Sequence, residues 1–141
     1  MALKILIAED YKDLADSYHS VLGARGHEVM IATNGMGCQT VFKQYTKKTG
    51  DMVKPYFDIV ILDQKMPFMD GVETAKEILF LNPKQKIIFI TGYPESVLQK
   101  LPQLLGPVLV MKKPFTVQEL LTAVENFSVD MLREMTKAVR K

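Results

Sequence analysis

Short apolar runs alternate along the chain with longer segments in which apolar residues recur every three or four positions. The short runs are rich in β-branched residues and predict five strands, over residues 3–8, 28–32, 57–62, 86–90 and 108–111. The third run, FDIVIL, is almost unbroken in its apolar character, which is typical of a parallel strand covered on both faces. The pattern therefore indicates a sheet that lies inside the protein.

The longer segments predict helices between and after the strands. They cover residues 11–25, a stretch that includes 38–45, then 71–81, 95–101 and a final helix after Thr116. Thr116 and Glu119 match a capping box at the start of that last helix. Asp70-Gly71 is interpreted as a turn and a helix start. The polar stretch around 47–55 predicts a loop.

Strand and helix alternate five times, which predicts an α/β fold with a doubly wound, five-stranded parallel sheet and helices on both faces. In the expected strand order 2-1-3-4-5, strands one, three, four and five are direct neighbours. We expect one domain over residues 1–127, with residues 128–141 as an extension of the last helix. Two interpretations of this extension stay open: a solvated helix or linker stub, or an amphipathic surface for dimerisation or partner docking.

Composition narrows the class of protein. A chain of 141 residues fits one domain, and a net charge of +2 with dispersed Lys and Arg does not indicate direct nucleic-acid binding. The single cysteine, Cys38, excludes an internal disulfide and is expected in the core. No apolar run approaches the roughly 18 residues of a membrane span, and no secretory signal is evident. We expect a soluble cytoplasmic protein without membrane contact, with His19 and His27 at its surface or boundary.

Polar residues follow four of the predicted strands. Glu9 and Asp10 follow the first strand and Asp63 ends the third. Thr91 ends the fourth strand and Lys113 follows the fifth. The carboxyl ends of the strands are where open α/β sheets bind ligands, and a buried charge without a partner is costly. The sequence therefore predicts that these residues form one site.

The residue types at this site suit phosphoryl chemistry. Clustered carboxylates raise one another's pKa unless a cation sits among them, and Mg²⁺ prefers such oxygen ligands. Lys113 can pair with the central carboxylate and then with a phosphoryl oxygen, to which Thr91 can also donate. Asp63 is placed to act as the nucleophile and to form an aspartyl phosphate. As an alternative, Glu9 and Asp10 could simply cap the first helix.

Four blocks in the same order resemble the receiver domain of two-component response regulators. They are Glu9-Asp10, the run LDQKMPFMDG over 62–71, Thr91-Gly92 and Lys113-Pro114-Phe115. The resemblance covers residues 3 to about 127. It implies a flavodoxin-like fold and Mg²⁺-dependent phosphoryl transfer to Asp63 from the phosphohistidine of a histidine kinase or a phosphotransfer protein. It also implies a conformational switch that signals to a partner or output domain.

The resemblance assigns a role to each site residue by position. Asp10 and Asp63 would bind the metal directly, Glu9 would act through water, and Lys65 would contribute its backbone carbonyl. Thr91 and Lys113 would contact the phosphoryl group, and a cis peptide before Pro114 would direct Lys113 into the site. Such a domain catalyses its own phosphorylation and slow dephosphorylation only, so it is not classed as an enzyme.

Two positions depart from the family pattern. Val110 stands three residues before Lys113, where the family usually has Tyr or Phe, so the chain lacks the ring that the family's aromatic switch uses. Lys65 stands two residues after Asp63, and we hypothesise that its ammonium changes the lifetime of the aspartyl phosphate. Val110 supports the alternative of a phosphorylation-independent interaction module. A phosphatase or transferase with Asp63 as turnover nucleophile ranks last, because Lys65 replaces the second acid of a D-x-D pair. A homodimer and an effector protein are the other expected partners.

Overall fold

The structure, a computed structural model, describes residues 2–127. Its elements in chain order are β1 (Lys4–Ala8), α1 (Lys12–Ala24), β2 (Glu28–Ala32), α2 (Gly35–Tyr45), β3 (Lys47–Thr49), β4 (Met52–Lys54), β5 (Ile59–Asp63), α3 (Gly71–Leu81), β6 (Lys86–Thr91), α4 (Pro94–Leu98), a 3-10 turn (Leu101–Gln103), β7 (Val108–Lys112) and α5 (Val117–Glu125). None of the described helices is long and apolar enough to cross a membrane. The predicted helical extension over 128–141 lies outside the described residues.

The central sheet has five strands in the order β2-β1-β5-β6-β7, and every neighbouring pair is parallel. These are the five strands predicted from the sequence, in the predicted order, so the doubly wound α/β fold is confirmed. All strand carboxyl ends meet at one edge, which we call the carboxyl edge. The opposite edge, where the strands begin, is called the amino edge.

Two hydrophobic clusters cover the two faces of the sheet, because alternate strand residues point to opposite sides. In β1, Leu6 and Ala8 join a cluster with α2, α3 and α4. Ile5 and Ile7 join a second cluster with α1 and α5. Cys38 packs in the first cluster as predicted, and burial raises the pKa of its thiol to about 12. The strands are therefore packed on both faces, and this packing positions the residues at the strand ends.

Two of the predicted helix starts are confirmed in detail. The Thr116 side chain accepts a hydrogen bond from the Glu119 N–H while the Glu119 carboxylate accepts one from the Thr116 N–H. The same reciprocal capping joins Asp70 and Glu73 at the start of α3. The fourth helix is shorter than predicted, since α4 ends at Leu98 and a 3-10 turn follows. Pro102 lies in that turn and has no N–H to continue a helix.

The predicted loop at 47–55 is wrong, because this segment forms a two-stranded antiparallel hairpin, β3–β4. Its register places Lys47 opposite Lys54, and Gly50 in the turn has φ 60°. All of its strand residues are exposed except the half-buried Val53. The hairpin therefore lacks the apolar alternation that would reveal a strand in the sequence.

His27 is buried, so its prediction as a surface or boundary residue is wrong, whereas His19 is exposed as expected. The His27 Nδ1 accepts a hydrogen bond from the Leu3 N–H at 3.1 Å, and Nε2 lies 2.9 Å from Glu125 Oε2. Arg25 makes two further hydrogen bonds to the Glu125 carboxylate. The hydrogen bonds from Arg25 and His27 lower the Glu125 pKa to about 2. This set, called the amino-edge cluster, fixes the end of α5 against the start of β2.

Candidate functional site

Three carboxylates meet at the carboxyl edge, because β1 and β5 are neighbours in the sheet. Glu9, Asp10 and Asp63 each contribute one oxygen, and these oxygens lie within 4.8 Å of one another. Glu9 and Asp63 are 1% and 6% exposed, whereas Asp10 faces solvent. In proteins, Mg²⁺ binds hard oxygen ligands and keeps some of its coordination positions for water. The donor set therefore fits a divalent cation.

The electrostatics of Glu9 show how crowded the negative charge is. Its pKa is raised to about 7, first by desolvation on burial and then by the charge of Asp63. Lys113 and the Tyr11 N–H, which donates to the Glu9 carboxylate, oppose this rise. Glu9 does not cap α1, because the N-cap residue is Tyr11 and no side chain caps the helix. A cation in the cluster would favour the ionised carboxylates.

Lys113 supplies the positive charge at the site. Its Nζ lies 3.3 Å from Glu9 Oε1 and 3.4 Å from Asp63 Oδ1, so one ammonium bridges acids from two strands. Lys113 follows β7, and its peptide bond to Pro114 is cis, as the resemblance implied. Lys112, its neighbour, is exposed.

Thr91 ends β6, next to the strand that carries Asp63. Its side chain is buried, and its hydroxyl oxygen accepts a hydrogen bond from the Tyr93 N–H at 3.0 Å. A hydroxyl that accepts in this way still has its hydrogen to donate. Thr91 is therefore equipped to bind one more oxygen at the site while it stays connected to the β6–α4 loop.

The segment that follows Asp63 carries two exposed side chains, Lys65 and Phe68. Lys65 is exposed, and its Nζ lies 5.8 Å from the centroid of the Tyr93 ring. Phe68 is 89% exposed and has φ 70°, a left-handed conformation that non-glycine residues rarely adopt. Gln64 is buried, and its side-chain oxygen accepts a hydrogen bond from the Val72 N–H of α3. The sequence does not single out Gln64, because its residue type alone does not reveal the hydrogen bond that it accepts from the Val72 N–H.

Val110 is fully buried in β7, where it joins the cluster that includes Val97 and Leu98 of α4. It pairs in register with Phe89 of β6. A valine has no ring that could swing between a buried and an exposed position. The departure from the family pattern is therefore a true change in the core beside the site.

The family model of the response regulator receiver domain matches residues 5–125. The chain belongs to this family, for which phosphorylation and Mg²⁺ binding are general properties. It is 27% identical over 124 residues to the sporulation initiation phosphotransferase F of Bacillus subtilis, with 88% of this chain and 92% of that protein covered. It is 28% identical over 126 residues to the response regulator receiver protein CpdR of Brucella abortus, with 89% and 97% covered.

A solved structure supports the fold assignment. The receiver domain of the sensor histidine kinase PA1611 from Pseudomonas aeruginosa matches with a TM-score of 0.74 and 18% identity. The match covers 90% of this chain and 98% of that one. That domain is described with a magnesium ion coordinated in its active site cleft. At this identity the match bears on the fold alone.

Proposed function

We propose that the Asp63 carboxylate accepts a phosphoryl group from the phosphohistidine of a histidine kinase or a phosphotransfer protein. As the bond from Asp63 to phosphorus forms, the bond from phosphorus to the donor imidazole breaks. The observation that carries this proposal is the placement of Asp63, which lies between two further carboxylates and the Lys113 ammonium at the carboxyl edge. Phosphoryl transfer depends mainly on such positioning and on neutralised charge.

Mg²⁺ is the metal that we propose for the carboxylate cluster. Asp10 and Asp63 would bind it directly, Glu9 through water, and Lys65 by its backbone carbonyl. When bound, the ion neutralises charge on the phosphoryl oxygens and offsets the repulsion among the acids. The proximity of the three carboxylates and the raised pKa of Glu9 support this assignment.

Lys113 and Thr91 would bind the remaining phosphoryl oxygens. The Lys113 ammonium already contacts the Asp63 carboxylate. Only a small movement would therefore bring it to an oxygen of a phosphoryl group carried by Asp63. Thr91 would donate its hydroxyl hydrogen, and any shift of this side chain moves the Tyr93 N–H that is bonded to it. The proposed conformational signal therefore leaves through the β6–α4 loop, since Val110 cannot act as an aromatic switch.

The remaining assignments belong to the same proposal. The chain would catalyse only its own phosphorylation and slow dephosphorylation, and would act on an effector protein or output domain without binding nucleic acid itself. A homodimer and a cytoplasmic location are further expectations that follow from the family and the sequence. The phosphorylation-independent module is not favoured, because the acids, Thr91 and Lys113 are all present and adjacent.

Incubation with acetyl phosphate or beryllium fluoride, with and without Mg²⁺, tests the proposal. We expect a Mg²⁺-dependent adduct in intact-mass or fluorine NMR measurements of the wild type and none with Asp63→Asn. An adduct that persists in Asp63→Asn would assign the acceptor elsewhere. No adduct in the wild type would support the interaction module, and sustained phosphate release from varied substrates would support the phosphatase.

A further inference from the structure

Gln64 connects the strand that carries the acceptor to the helix that follows it. Its side chain is 8% exposed. The Gln64 N–H donates to the Ile90 carbonyl of β6 at 3.3 Å, which continues the β5–β6 ladder one residue past Asp63. Its carbonyl accepts the Gly71 N–H at 3.0 Å, and its side-chain Oε1 accepts the Val72 N–H at 2.9 Å. One residue thus binds β6 on one side and the first two amides of α3 on the other.

These bonds complete the N-terminus of α3. The first amides of a helix have no acceptor within the helix and need one from outside. Gln64 serves Gly71 and Val72, while Asp70 serves Glu73 through its side chain and Thr74 through its carbonyl. Val72 is itself 1% exposed, so its N–H has little access to water as a substitute. The Gln64 side chain is the acceptor that this buried amide has in the described structure.

Gly71 shows that α3 begins directly against the acceptor residue. A Cβ at Gly71 would lie 2.7 Å from the Asp63 carbonyl oxygen and 2.9 Å from Gln64 Oε1. Only a glycine allows this approach, because real Cβ atoms do not come so near to backbone oxygens. The hydrogen bonds among residues 64, 71 and 72 therefore hold the two ends of segment 65–70 together, and this segment includes the Lys65 carbonyl. Its geometry depends on those contacts.

We propose that Gln64 is a positioning residue for the metal site: its side-chain amide oxygen holds the start of α3 so that the Lys65 carbonyl and the Asp63 carboxylate keep their relative places. The inference rests on the proposed function, and it assigns no chemical step to Gln64, whose side chain contacts a helix amide and no reacting atom. Some groups orient the metal-binding residues without binding the metal themselves. Their removal commonly lowers metal affinity by about 10-fold to 100-fold. A loss at the lower end of that range is expected here, since one of several contacts is removed.

Gln64→Met tests this inference, because methionine has nearly the same length and volume but no strong acceptor. Mg²⁺ binding is measured directly by calorimetry or amide NMR titration, without any phosphoryl donor. We expect the Kd for Mg²⁺ to rise about tenfold. In acetyl phosphate labelling, the Mg²⁺ concentration for half-maximal rate should rise by the same factor, while the rate at saturating Mg²⁺ stays within about twofold of the wild type.

Gln85→Met is the matched control. Gln85 is also a buried glutamine, and its Nε2 donates to the Phe57 and Lys86 carbonyls at the amino edge. This variant should lose stability and keep the wild-type Kd for Mg²⁺. If it weakens Mg²⁺ binding as much as Gln64→Met does, the effect is one of general stability and the inference is wrong.

Amide hydrogen exchange of Val72 gives a second measurement that needs no metal. The Val72 amide should lose protection in Gln64→Met and regain it in Gln64→Glu, which restores an oxygen acceptor and should bind Mg²⁺ at least as tightly as the wild type. Wild-type Mg²⁺ affinity in Gln64→Met would overturn the positioning role alone. A wild type that binds no Mg²⁺ would instead overturn the proposed function, and the positioning role with it.

Discussion

Charged side chains collect at both edges of the central sheet, but their surroundings differ. In the amino-edge cluster, Glu125 receives hydrogen bonds from Arg25 and His27, and its pKa falls to about 2. At the carboxyl edge, Glu9 lies beside Asp63, shares one ammonium with it, and has a pKa raised to about 7. One edge neutralises its charge internally and so stabilises the fold. The other keeps an excess of negative charge that a bound cation can relieve, and for this reason we assign the proposed ligand site to it.

Replacement of the cationic side chain at each edge should give the largest difference between the edges in labelling rate. Lys113→Met should slow labelling by acetyl phosphate about 100-fold, because a group that stabilises the transferring phosphoryl oxygens is lost. Arg25→Met removes a cation from the amino-edge cluster and should leave the labelling rate unchanged. Mass spectrometry of samples quenched at successive times measures both labelling rates. Equal slowing in the two variants would contradict the division between the edges.

His27→Ala should be the most destabilising of these changes while it leaves the site intact. It removes the acceptor of the partly buried Leu3 N–H and the partner of Glu125, which costs about 1–3 kcal/mol for the unsatisfied donor. The free energy of unfolding from urea titration measures this loss. His19→Ala, on the exposed side of α1, is the control and should stay within about 0.5 kcal/mol of the wild type. A labelling rate that falls with His27→Ala would show that the edges are coupled.

The two carboxyl groups should give opposite slopes of stability against pH. The Glu125 pKa is lowered on folding, so its stabilising effect is present above about 4.5 and is lost as the pH falls towards about 2. The Glu9 pKa is raised, so its contribution is present below about 4.5 and is lost as the pH rises through about 7. Urea titrations without divalent cations should therefore show Glu125→Gln approaching wild-type stability towards low pH. Glu9→Gln should gain on the wild type as the pH rises, and slopes of the same sign would refute the comparison.

Lys65→Ala should shorten the life of the aspartyl phosphate. The Lys65 ammonium lies 5.8 Å from the centroid of the Tyr93 ring, two residues after Asp63, and both side chains are exposed to water that could approach the aspartyl phosphate. Loss of the long side chain opens that approach, so dephosphorylation after removal of acetyl phosphate should be faster. Lys43→Ala in α2 is the control and should decay as the wild type does. Equal decay in Lys65→Ala and the wild type would rule out a role for this ammonium.

The smallest expected effect concerns backbone strain at the two edges. Phe68 adopts φ 70° in the loop at the carboxyl edge, whereas Gly26, which precedes His27, adopts φ 89° at the amino edge. Phe68→Gly should raise stability by up to about 1 kcal/mol, since relief of left-handed strain exceeds the entropy cost of glycine. Gly26→Ala should lower it by about 1 kcal/mol. Thermal unfolding measures both, and a loss with Phe68→Gly would mean that the exposed ring stabilises the loop.

Much of the fold and of the site could be predicted because both depend on patterns within short segments. An apolar strand followed by a polar residue places Asp63 and Thr91 at one edge once the strand order is known. His27 escaped prediction because its partner, Glu125, is 98 residues away and only the packing of α5 brings them together. Gln64 escaped because its importance depends on a hydrogen bond to a backbone amide, which leaves no mark on the residue type of Val72.

The cluster at the end of α5 has a mechanical consequence. Helix α5 starts shortly after Lys113 at the carboxyl edge and ends at Glu125 in the amino-edge cluster, so its nine residues, about 13.5 Å along the helix axis, connect the two edges. Arg25 and His27 hold its far end, while its near end follows the segment that carries Lys113. A displacement of Lys113 would therefore rotate α5 about its end at Glu125 instead of translating it. The direction of the helix axis would then change, whereas the position of Glu125 would stay nearly the same.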